Sequence, residues 1–143
     1  MKKLPIALII LIFMLSLFGC TGNGEKTKSQ IPTNQAWAIL KSNYDSLLET
    51  KKAKDDKKIS KFHWNFLTDG IVKSSERIAQ SLEGNDSNEA KILRDAAQKI
   101  IDLTNMYSEE INKGIEAKGD STLKKSIEKD LSQVEVMIKN NKK

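Results

Sequence analysis

One cysteine, one histidine, two prolines and two arginines are all that this chain of 143 residues holds of those four types. A single Cys excludes a disulfide framework and a multi-cysteine metal site, and a single His excludes any triad or zinc site needing a second imidazole. Arg77 and Arg94 leave lysine to supply 22 of the 24 basic residues. Specific nucleic-acid recognition leans on the planar, bidentate fork of arginine, so no nucleic-acid partner is expected. The seven glycines are scattered and form no phosphate-cradling loop. Neither HExxH nor CxxCH occurs, and from Thr33 onward nothing alternates at period two, which leaves β-strands without their signature.

What is present begins with Lys2 and Lys3, followed by an apolar run from Leu4 to Phe18 that ends in Gly19 and Cys20. As a helix this run would reach about 22 Å at 1.5 Å per residue, short of the roughly 30 Å hydrocarbon core. A basic start, a short apolar centre and a small residue before the cut describe a secretory signal rather than a stable membrane span.

Leu17-Phe18-Gly19-Cys20 resembles the lipobox of bacterial prolipoproteins, with Leu three residues before the Cys and a small residue just ahead of it. Phe18 departs from the pattern, which favours a small residue there. The resemblance implies that residues 1–19 are a cleaved signal peptide and that Cys20 carries diacylglycerol and is the acylated first residue. Two acyl chains hold a protein firmly on a bilayer where one binds reversibly. The expected location is therefore the cell membrane, lipid-anchored on its extracytoplasmic face. Lysine-heavy, arginine-poor usage with many Asn and Ile residues suggests an AT-rich, Gram-positive source. Loss of Lys2 and Lys3 lowers the formal charge from +5 to +3, so part of the basicity belongs to the signal.

Residues 20–32, with Thr21 to Pro32 reading TGNGEKTKSQIP, contain too little apolar surface to fold and are expected to form a flexible tether on the order of 20 Å long. Residues 33–143 then carry four amphipathic stripes. The first is Trp37, Leu40, Tyr44, Leu47 and Leu48, with Thr33 or Asn34 as the cap. The second holds Ile59, Phe62, His63, Phe66, Leu67, Ile71, Ile78 and Leu82, with Asp55 or Asp56 as its cap and Gly84-Asn85 as its stop. The third, Ala90 to Ile115, has a regular 3-4-3-4 spacing, and Asp86 or Ser87 caps it. It would run to Lys118, about 48 Å, unless it kinks, overhangs or breaks near Gly114. The fourth is Leu123, Ile127, Leu131, Val134 and Ile138, after a stop and cap at Gly119-Asp120-Ser121. Short polar links favour an all-α, antiparallel up-down-up-down four-helix bundle.

Chemistry-bearing constellations are sparse. His63 lies between apolar Ile59 and Leu67 and reads as a core or boundary histidine. Glu109-Glu110 and Asp55-Asp56 are sequence neighbours, which diverge by about 100° on a helix and share no proton. General acid–base catalysis needs groups that converge, so the reading is not an enzyme, with no metal and no cofactor.

The informative segment is Phe62-His63-Trp64-Asn65-Phe66-Leu67, whose apolar arc is wider than one packing seam needs. Either it belongs to the most buried helix, touching two neighbours, or one edge stays exposed, foremost Trp64 with Phe66, and binds a partner. Beside it Lys51, Lys52, Lys54, Lys57, Lys58 and Lys61 outnumber Asp55 and Asp56. The expected partner site is thus Trp64, Phe66 and Phe62 with Lys51, Lys52, Lys54, Lys57 and Lys58. The expected function is a membrane-anchored, non-enzymatic module that binds an envelope protein in an accessory, inhibitory or exclusion role. Two alternatives stand beside it: a carrier or sensor holding a small apolar ligand or metal inside the bundle, and binding of anionic wall polymer through the lysine-rich tip.

Overall fold

The computed structural model describes residues 31–141, so the signal, Cys20 and nearly all of the tether lie outside the described residues, as do Lys142 and Lys143. The described residues are all-helical, with four helices and no strand: α1 (Thr33–Asp55), α2 (Lys61–Ser81), α3 (Asn88–Lys113) and α4 (Asp120–Asn140). None of them is long and apolar enough to cross a membrane.

The helix ends differ from the sequence expectation in instructive ways. Pro32, not Thr33 or Asn34, caps α1, and its carbonyl accepts from the Gln35 and Ala36 N–H groups. The lysine-rich stretch continues α1 as helix to Asp55, where Lys52 and Lys54 in the last turn suit the negative end of its dipole. Neither Asp55 nor Asp56 therefore caps α2; the Ser60 hydroxyl does, accepting from the His63 N–H at 3.2 Å. The Ser87 hydroxyl caps α3 in the same way, from Ala90. α3 breaks at Gly114, whose φ of 73° ends the helix cleanly. The helix is thus about 39 Å long, close to its neighbours, and Ile115 falls outside the seam.

The core is organised on α3, which packs against all three other helices, whereas α2 and α4 do not touch. Its nine buried residues, among them Leu93, Ile100, Leu103 and Tyr107, follow from that central position. Ala36, Leu40, Tyr44 and Leu47 of α1 face it, as do Ile127, Leu131 and Val134 of α4. α2 touches two neighbours, α1 and α3, but α3 and not α2 is the most buried helix.

The buried line of α2 is Trp64, Thr68, Ile71, Ser75 and Ile78, ending in Leu82. Two hydroxyl residues sit in it at little cost because each has a partner: Thr68 donates to the Trp64 carbonyl at 2.9 Å and Ser75 accepts from Asn43 at 3.1 Å. Phe62 and Phe66 are not on this line.

Candidate partner-binding tip

Side-chain contacts tie the end of α1, the start of α2 and the end of α3 together. The indole N–H of Trp64 donates to the Ser108 hydroxyl at 3.2 Å, and the Lys61 ammonium donates to the Asn112 carbonyl at 3.1 Å. The Asn112 amide donates to Asn65 at 3.1 Å. Lys51 lies 5.1 Å from the centre of the Tyr107 ring while pairing with Asp55 at 2.7 Å and Glu110 at 3.3 Å. Burial disfavours the charge on Lys51, but hydrogen bonds to the two carboxylates prevail and its pKa stands above the ordinary value.

A second link closes this end against α4. The Tyr107 hydroxyl donates to Asp120 at 3.0 Å, and Asp120 also pairs with Lys124 at 3.1 Å. Burial, then the bond to Asp120, pushes the Tyr107 hydroxyl upward. Burial opposes ionisation of Asp120, yet the bonds from Lys124 and Tyr107 win and lower its pKa.

Outside this locked layer lie the apolar rings. Phe62 is 74% exposed and Phe66 64% exposed, and both phenylalanines of the described residues are therefore on the surface. They are four residues apart, so they stand one above the other on the same face. Phe62 meets His63 edge to face, with ring centres 5.9 Å apart. Ile115, just beyond α3, is 52% exposed at the same end.

The structure corrects three expectations about these residues. Trp64 is fully buried, not exposed, because its face of α2 continues into Thr68, Ile71 and Ser75 against α1 and α3. It holds the fold together and offers a partner no surface. His63 is exposed rather than a core or boundary residue. Lys51 is turned inward and engaged, with its side chain only 15% accessible, so it belongs to the inner layer. Lys52, Lys57 and Lys58 are exposed and Lys54 is half-buried. Lys58 pairs with Asp56 at 2.8 Å and Lys54 donates to the Ile59 carbonyl at 3.5 Å.

Two clefts open between helices. One of about 180 Å³ opens between α1 and α4 beside Trp37, Leu48 and Leu131. Trp37 narrows it by donating its indole N–H to the Leu131 carbonyl at 2.9 Å. The other, about 260 Å³, is a shallow polar groove between α2 and α3 beside Asn65, Thr68 and Asn105. Among the described residues no three His, Cys, Asp or Glu side chains gather where they would hold a metal.

Sequence reasoning misses Glu110 as a partner of Lys51 and Ser108 as a partner of Trp64, since both pairings cross between helices. The i,i+4 spacing of Lys51 and Asp55 is the one local signal. Comparison of the chain with protein-family models, with curated proteins and with solved structures gives no match, so the tip's own geometry carries the functional reading.

Proposed function

We propose that the chain is a membrane-anchored surface lipoprotein whose helical domain is a non-enzymatic protein-binding module of accessory, inhibitory or exclusion type. The lipid on Cys20 holds it at the extracytoplasmic face, and residues 21–32 tether an antiparallel up-down-up-down bundle. Contacts such as Lys61 with Asn112, and Asn141 with Glu89, support that order of helices, since each joins the end of one to the start of another. At 1.5 Å per residue α1 carries the tip about 35 Å from the point where the tether joins it.

The exposed Phe62–Phe66 pair is the observation that carries the reading. Two large rings in water on a helix face are a standing cost that a partner relieves, and aromatic residues dominate interface hot spots. A second reading, contact with anionic wall polymer, is favoured by the lysines of the same end and predicts retention on isolated walls that ~0.5 M salt abolishes.

Anchoring is tested by labelling cells with radioactive palmitate and fractionating them. The parent chain is expected to label and to sediment with membranes, while Cys20→Ser neither labels nor sediments. Equal labelling of both would remove the anchor and with it the surface role.

A further inference from the structure

Resting on the reading that the tip is the contact surface, we propose that its partner is an acidic protein surface with an apolar recess. Phe62 and Phe66 fill the recess, while Lys52 and Lys57 meet the acidic groups around it. The first argument is charge. Most carboxylates of this end are already paired inside the molecule: Asp55 and Glu110 with Lys51, Asp56 with Lys58, Glu109 with Lys113, Glu116 with Lys118, and Asp120 with Lys124, which leaves the exposed Glu49, one turn before Lys52. Of the lysines left over, Lys54 and Lys61 donate to main-chain carbonyls. Among the described residues the ammonium groups of Lys52 and Lys57 form neither a close ion pair nor a hydrogen bond, although the Lys52 charge is felt by Asp56, and both side chains are exposed. The residual field of the tip is positive, and it attracts acidic groups.

Backbone conformation fixes where Lys57 stands at the end of α1. Lys57 has φ 59°, the one non-glycine residue among the described residues at positive φ; Gly84, Gly114 and Gly119 hold the others. A β-carbon there is strained, and glycine or asparagine would sit more easily. The Lys57 N–H donates to the Lys54 carbonyl at 3.0 Å and the Lys58 N–H to the Ala53 carbonyl at 2.8 Å, so this backbone is the C-terminal cap of α1 and only the exposed Lys57 side chain is left for a partner.

The second argument separates a protein from a bilayer. Apolar surface on this face of α2 stops after Phe66, since Asp69, Lys73 and Glu76 continue it and are exposed. The turn farthest out, Asp56 to Lys58, is charged, whereas insertion into lipid calls for apolar residues at the outermost point. A small apolar centre ringed by charge is the anatomy of a protein interface. The two rings expose together about 300 Å² if each carries roughly 200 Å². That is well under the ~800 Å² one partner contributes to a stable complex, so the polar surroundings complete the contact and set its charge preference.

The test uses the full-length chain in the cells that make it, with a photoreactive benzophenone amino acid replacing Phe66 or, as a control, the exposed Val136 of α4. Irradiation is expected to give a discrete protein adduct from position 66 and none from 136, with the cross-linked peptide bearing clustered Asp or Glu. Adding Lys52→Glu and Lys57→Glu should cut the yield at least fivefold. Lys57→Gly should lower the yield while leaving the Tm unchanged or raised by about 2–4 °C, which separates lost contact from lost fold. An adduct indifferent to these lysine changes, or joined to a peptide without acidic residues, overturns the acidic partner and leaves the tip as a protein-binding surface. Adducts to lipid or wall polymer alone, or from 136 and not 66, overturn the tip reading itself.

Discussion

The inner and outer layers of the tip are built from the same kinds of residue and meet opposite fates. Inside, Trp64 is fully buried and Lys51 is held by Tyr107, Asp55 and Glu110. Outside, Phe66 lies two residues from Trp64 and Lys52 one residue from Lys51, yet both face water. On a helix each step along the chain turns the side chain by about 100°. Which face is buried is decided by the whole helix rather than by its most apolar segment. The Phe62–Phe66 face continues into Asp69, Lys73 and Glu76, and burying it would take three charges out of water. The Trp64 face continues into Thr68, Ile71, Ser75 and Ile78, whose hydroxyls find partners nearby.

The strongest way to break this comparison is to remove one ring from each layer. Trp64→Ala is expected to cost about 3–5 kcal/mol, the usual range for a buried aromatic, and to lower the Tm by more than 10 °C or abolish cooperative melting. Phe66→Ala should stay within about 0.5 kcal/mol of the parent. Thermal melts followed by circular dichroism decide it, and equal losses from the two would dissolve the distinction between layers.

Much of the fold is legible in the order of the residues. The 3-4-3-4 spacing of α3 specifies its seam because packing there needs only apolar period, and the four stripes specify four helices. The fate of Trp64 is legible too once α2 is projected along its full length: Asp69, Lys73 and Glu76 mark the wet face. What the sequence does not contain are the pairings across helices. Glu110 reaches Lys51, and Asp120 reaches Tyr107, only after the helices have packed. Ser60 displaces Asp55 and Asp56 as a cap because α1 runs on through lysines that favour its C-terminus. The lipobox and Cys20 stand on the sequence alone.

A smaller effect sharpens the account of the inner layer. Burial, and then hydrogen bonds to Glu128 and Asp120 respectively, raise the ionisation of Tyr44 and Tyr107 above the ordinary 10.0. Raised in the folded state, these groups contribute stability that is whole below pH 10 and is lost as pH rises beyond it. The Tm should fall by roughly a few degrees between pH 9 and pH 11. Tyr107→Phe should flatten that slope while lowering the Tm slightly at neutral pH. A Tm indifferent to alkali, or a slope unchanged in the variant, would show that burial and the bond to Asp120 do not raise the Tyr107 hydroxyl.

The most direct test is to take the outer layer away and leave the inner one intact. The chain carrying Phe62→Ala and Phe66→Ala together is compared with the parent on intact cells, using a membrane-impermeant amine-reactive cross-linker, and the purified domains are melted in parallel. The account predicts a Tm within about 5 °C of the parent and loss of the parent's cross-linked protein adduct. An adduct of undiminished intensity, or a loss of stability as large as that of Trp64→Ala, would contradict it.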